Sequence, residues 1–258
     1  MLANVYDCGR STLLIHAAYG SGVPKWVCSL RYLALRSPDP STDKTFTALV
    51  WCVNMIPNYR DKYDADAVFT PADAVTEQGD GLPTVPAAVI LGYQEELTRA
   101  VREQARAPID IVRSQRLFPV RETVGYVPIH EWGIGAPVTA TVSENLIAAG
   151  AEAVAILGGC ACLQRGISAD VAILPTEAIR DEGVSYHYLP GETPVTPTER
   201  LVESLTDQLA SAGFDTRQAP TWTTSAMYRE TRPEVEKYRN DGVLSLGMES
   251  AAMWAPRY

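Results

Sequence analysis

The residues best suited to do chemistry in this chain stand in four short runs. Gly247-Met-Glu-Ser-Ala-Ala252 carries a carboxylate, Glu249, where a short apolar stretch enters a helix. A carboxylate offers two acceptor oxygens, enough to take a pair of neighbouring hydroxyls. An acidic residue is also favoured near a helix N-terminus by the helix dipole alone. Trp222-Thr-Thr-Ser-Ala-Met-Tyr-Arg-Glu-Thr231 places Met227 beside Tyr228. A sulfur and a ring suit the face of a flat heterocycle, and they suit ordinary core packing too. Arg229 and Arg232 in the same run can donate to a ring carbonyl. Gly133-Ile-Gly-Ala-Pro137 and Leu157-Gly-Gly-Cys-Ala-Cys-Leu-Gln164 are glycine-rich turns at which backbone can approach a ligand. Cys160 and Cys162 are spaced like a metal pair, but none of the three histidines, His16, His130 and His187, lies near them, so no metal is expected.

These runs need elements to hold them. Strand-like text covers 84–91, 123–130, 153–157, 170–174 and 243–246, and the pattern predicts a helix over 94–106. Val138, Val142, Leu146 and Ala149 fall on one face of a helix after Pro137. Thr196-Pro-Thr-Glu199 reads as a helix start, with Thr196 as cap, proline first and glutamate third, and Gly213 as the stop. Thr231 with Glu234 repeats the capping box, and Gly242 ends that helix. Strands alternating with helices imply an α/β fold: a single domain with a central mixed β-sheet flanked by helices.

Composition narrows the function classes. At 258 residues and 46% apolar content the chain can bury one large core. A formal charge of −9 opposes nucleic acid and anionic lipid, so the expected partner is a small molecule. No apolar run is long enough to span a bilayer, and the first thirty residues carry no secretion signal. Five cysteines without framework spacing read as reduced thiols, and the expected location is the cytoplasm. Four lysines against eighteen arginines fit either a salt-adapted or a GC-rich source. Residues 1–54 show no sustained period, whereas the text from Met55 onward is regular, so the domain is placed at 55–258. A start assigned too far upstream, or an accessory or disordered arm, gives that contrast.

The five glycine, arginine and methionine-glutamate motifs, 133–137, 157–164, 178–183, 222–231 and 247–252, stand in the order and spacing of the nucleoside phosphorylase superfamily, which the chain resembles in its uridine-phosphorylase-like branch. The resemblance implies a phosphorylase/hydrolase-like fold and cleavage of a nucleoside's N-glycosidic bond with phosphate as co-substrate and no other cofactor. It places Glu249 and Met248 at the ribose, Met227, Tyr228 and Arg229 at the base, and Gly92, Gly159 and Arg116 at the phosphate, Arg116 reaching in from a neighbouring subunit. A homo-oligomer built from dimers follows from that borrowing. No catalytic acid is named by it.

The chain also departs from the family. The arginine expected four residues after Gly92 is Glu96, a second falls at Ile156, expected to end the strand beneath, and the phosphate-binding threonine falls at Gly159. Proline at 256 stands where the family's helix continues, which gives the appearance of a truncated C-terminus. Phosphorolysis, hydrolysis in the same pocket, and nucleoside binding without turnover all stay open.

Overall fold

The computed structural model describes residues 12–19, 60–76, 83–111 and 115–256. In chain order these form β1 (Thr12–Tyr19), α1 (Pro71–Thr76), β2 (Ala88–Gly92), α2 (Glu95–Gln104), β3 (Ile109–Asp110), β4 (Arg116–Pro119) and β5 (Val124–Val127). There follow α3 (Ala136–Ala148), β6 (Ala153–Cys162), β7 (Ala172–Asp181), α4 (Glu199–Ser211), β8 (Thr216–Thr224), α5 (Arg232–Asn240), β9 (Ser245–Gly247) and α6 (Ser250–Trp254).

All nine strands join one mixed sheet in the order β1-β7-β8-β9-β6-β2-β5-β4-β3. This is the α/β architecture with a central mixed sheet that the alternation of elements implied. Because β1 also pairs with β6, the strands β6, β1, β7, β8 and β9 close into a ring. The segment set apart by composition thus contributes β1 to the sheet, antiparallel to β6 and parallel to β7.

Where elements end is set by packing and caps rather than by the apolar pattern alone. β6 runs five residues beyond its apolar text, because Gly159 and Cys160 are paired with β1 and Ala161 and Cys162 with β9. Ile156 therefore lies inside the strand, opposite Leu91 and buried in the main core cluster, and does not end it. β7 likewise extends to Asp181, with a register shift between Pro175 and Ala178. α4 starts at Glu199 with Thr198 as its cap residue, two positions later than the Thr196 cap expected, and without a side-chain capping bond. The Thr231–Glu234 capping box of α5 forms as the sequence indicates.

The main core cluster joins β2, β6 and α3 to α6 through Leu91, Val154, Ile156, Val142, Leu146 and Met253. The long connection from β7 to α4 packs on the same mass, with Leu189 and Val195 in that cluster and Tyr188 against Ala136, Ala140 and Ala252. Arg180 holds that connection in shape. Its guanidinium donates to Ser185 Oγ and to the carbonyls of Leu189, Pro190 and Thr193 at 2.5–2.9 Å, and it stacks on Tyr186 4.2 Å from the ring centre. The buried carboxylate of Glu182 accepts from the N–H groups of Val184 and Ser185, turning the chain immediately before the first of those contacts.

Candidate functional site

Strand register locates the site. β2 pairs with β6 up to Gly92–Leu157, and β9 pairs with β6 from Ala161 onward, running the other way. Gly158, Gly159 and Cys160 lie between these two pairings, and the chain leaving each strand converges on them. Tyr93 leaves β2 with its N–H still bonded to the Leu157 carbonyl, at 2.9 Å. Met248 and Glu249 leave β9. Beside β9, with Thr223 opposite Gly247, β8 ends and passes into the turn that carries Met227 and Tyr228. Ligands of open α/β sheets gather at such strand ends.

Glu249 is bound from two sides. Its Oε1 accepts from the Gly135 N–H and its Oε2 from the Met248 N–H, each at 2.9 Å. Gly135 is the N-cap residue of α3, with φ 92° and ψ 179°, a region that is essentially glycine-only. That conformation aims a backbone donor across the site, with the Met248 side chain close by. Each carboxylate oxygen keeps a further lone pair for a ligand hydroxyl. Burial pushes the Glu249 carboxyl above its ordinary value, and the two backbone hydrogen bonds only partly offset this.

That shift has a testable sign. A carboxyl whose folded pKa is raised contributes stability that is fully present below its unfolded value, near 4.5, and lost as pH rises through the folded value. Glu249→Gln cannot titrate. Melting temperatures of both proteins between pH 4 and 7.5 should therefore show the variant gaining on the wild type as pH rises. A pH-independent difference would mean that this carboxyl is not desolvated.

Two tyrosines that sequence reasoning passed over line the other side. Tyr93 reaches from β2 to α3, its OH 2.5 Å from Thr139 Oγ1, while Thr139 Oγ1 donates to the Gly135 carbonyl at 2.8 Å. Thr139 has one proton, so the tyrosine is the donor. Tyr126 repeats the arrangement on α2: it bonds Thr98 Oγ1 at 2.8 Å, and Thr98 back-bonds the Gln94 carbonyl at 3.0 Å. Burial raises both phenols above the ordinary tyrosine value, and the nearby Glu249 charge raises Tyr93 further, so both are neutral at physiological pH. No motif marks either residue. The only signal is a tyrosine directly after the glycine that ends β2, with the partner threonine 46 residues on.

The sequence-chosen residues divide into those the fold brings together and those it does not. Glu249, Met248, Gly92 and Gly159 meet around Gly158. Met227, Tyr228 and Arg229 form an exposed turn after β8, Tyr228 almost wholly in solvent. Arg116 begins β4 near the far edge of the sheet, exposed and 3.8 Å from Asp110. Glu96 and Glu95 are exposed in the first turn of α2. Arg102 bonds Glu131 at 2.7 Å and, with His130, Arg99, Glu95 and Glu103, lines a cleft of about 440 Å³ against α2. His130 Nδ1 lies 3.3 Å from the Gly92 carbonyl. Among the described residues no helix is long and apolar enough to cross a membrane.

A fold whose strand ends converge on a glycine pair near a part-buried glutamate agrees with the family its sequence matches. The profile of the phosphorylase superfamily matches residues 86–255, and the chain belongs to that superfamily. It is similar to guanosine phosphorylase of Halorubrum lacusprofundi, with 27% identity over 123 residues, 48% of this chain and 51% of that protein. It is similar also to uridine phosphorylase of Treponema pallidum, 39% identical over 79 residues, 31% of each chain. Uridine phosphorylase of Salmonella typhimurium is 24% identical over 135 residues, 47% of this chain and 53% of that protein. The chain spans about half the length of most of the curated relatives it matches. Among solved structures, uridine phosphorylase from Vibrio fischeri ES114 superposes with a TM-score of 0.57 at 22% identity, covering 67% of this chain and 72% of that one. Purine nucleoside phosphorylase from Toxoplasma gondii gives 0.56 at 19%, covering 66% and 71%. At these identities the superpositions speak for the fold.

Proposed function

We infer that this chain binds a ribonucleoside and breaks its N-glycosidic bond. The observation that carries the reading is Glu249: a carboxylate fixed by two backbone donors at the meeting point of β9, α3 and β6, with a lone pair left on each oxygen for the 2′ and 3′ hydroxyls of a ribose. Rupture of the bond leaves positive charge on the sugar, which an anion held beneath it stabilises. Met248 lies beside Gly135, and the turn of Met227, Tyr228 and Arg229, exposed after β8 in the free protein, is the part we propose folds onto the base, offering a sulfur, a ring and a donor.

The acceptor divides the reading in two. The relatives' names imply phosphate, giving free base and ribose 1-phosphate, with Gly92 and Gly159 lending backbone and Arg116 entering the pocket of a neighbouring copy in a homo-oligomer built from dimers. Water is the second reading. It is favoured by Ile156, which is locked in the core where an arginine was needed, and by the carboxylates of Glu95 and Glu96 at the start of α2. The working unit in either case is the domain at 55–258 with β1 added to its sheet, acting in cytoplasmic nucleoside catabolism or salvage. Incubation with uridine, guanosine and inosine, with and without inorganic phosphate, tests this. Free base released from any of them supports the reading, and neither binding nor release from all three overturns it.

A further inference from the structure

Gly92 and Gly158 stand where β2 and β6 meet at the site, and the bare Cα face of each is occupied by a tyrosine side chain: the ring of Tyr126 at Gly92, and the Cβ of Tyr93 with its ring in ordinary contact at Gly158. A Cβ added at Gly92 would stand 1.9 Å from the Tyr126 hydroxyl and 2.1 Å from its ring carbon Cζ. One added at Gly158 would stand 3.0 Å from Tyr93 Cβ and 3.6 Å from two of its ring carbons. These glycines make room for tyrosines, whose side chains fill the space beside the backbone at both positions.

Neither ring is free to swing away. Each hydroxyl is anchored on a helix threonine that is itself bonded to a carbonyl four residues back, so displacing a ring leaves a buried hydroxyl without its partner. Tyr93 is held at its backbone as well, through the Leu157 carbonyl. The N-terminus of α2, which begins shortly after Gly92 in the chain, already has Glu95 and Glu96 in its first turn, and the Arg102 guanidinium is bound to Glu131. Charge and space act in the same direction.

We propose that Tyr93, with Tyr126 behind it, closes the acceptor side of the pocket to tetrahedral oxyanions, so that the sugar is transferred to water. This rests on the nucleoside reading above and settles its acceptor. In the reaction the C1′–N bond breaks with its electron pair going to the base, the oxygen of water bonds to C1′, and the proton that water loses ends on the base. The products are free base and free ribose. Tyr93 acts as a specificity-determining residue through the volume of its ring, and its hydroxyl serves only to hold the ring across Gly158.

Isothermal titration of inorganic phosphate into wild type, Tyr93→Phe and Tyr93→Ala decides the matter, with nucleoside binding measured on the same samples. Wild type and Tyr93→Phe, which keeps the ring, should bind phosphate at about millimolar affinity or weaker. Tyr93→Ala should bind it at least tenfold more tightly and divert part of the product from ribose to ribose 1-phosphate. Where circular dichroism shows Tyr93→Ala unfolded, Tyr93→Leu, which keeps an apolar stem over Gly158 but withdraws the ring from Thr139, is read in its place. Micromolar phosphate binding by wild type, sugar phosphate as its main product, or a folded ring-deleted variant with no gain in phosphate affinity overturns the proposal. Failure of every protein to bind nucleoside would strike the nucleoside reading instead, while the phosphate titrations would still report on Tyr93.

Discussion

Glu249→Ala is expected to lower ribonucleoside affinity or turnover at least about 100-fold, on the order of 3 kcal/mol for two hydrogen bonds to a charged group. The carboxylate is the point where three parts of the fold meet: the Gly135 donor at the start of α3, the Met248 donor after β9, and the glycine pair of β6. Alanine removes both ligand-facing lone pairs and leaves the two backbone donors without their acceptor. Glu249→Gln separates the two losses, because its amide oxygen can still accept one bond. Its activity should fall between alanine and wild type, and a 2′-deoxyribonucleoside should narrow the gap between the glutamate and glutamine proteins. Unchanged kinetics in a folded alanine variant would remove Glu249 from the site.

Arg180→Met should be the most destabilising of the single substitutions considered, costing about 3 kcal/mol and lowering the melting temperature by roughly 5–10 °C. Methionine keeps much of the apolar stem but removes every donor, so the carbonyls of Leu189, Pro190 and Thr193 and the Ser185 hydroxyl lose their common partner. The connection they shape carries Leu189, Tyr188 and Val195, which pack against α3 and α6. Those helices flank Glu249, so the variant should also raise KM for nucleoside when assayed well below its melting point. Calorimetry and steady-state kinetics on one preparation read both effects. A melting temperature within about a degree of wild type would show that water replaces these bonds at little cost.

The legible parts of this fold were those in which a short stretch carries its own physical reason. The α5 capping box needs only Thr231 and Glu234 three residues apart, and it forms. Val142 and Leu146 recur at helical spacing and are buried. Strand lengths were misjudged where neighbours decide them: the glycines at 158 and 159 look like a loop, yet pairing with β1 keeps them extended. α4 slips from Thr196 to Thr198 because either threonine can precede a helix, and the one chosen depends on where Val202 must pack.

By itself the sequence determined the alternation of strands and helices and the superfamily, and it pointed to Glu249 as the candidate carboxylate, because each rests on residue type and spacing along the chain. Only the tertiary structure decided what faces that carboxylate. That Ile156 belongs to the core, that Gly135 turns a donor toward Glu249, and that Tyr93 and Tyr126 lie across Gly158 and Gly92 all follow from register between strands distant in sequence. Side chains alternate across a sheet, so a single pairing fixes which of two neighbouring residues looks into a pocket, and no local pattern carries that information.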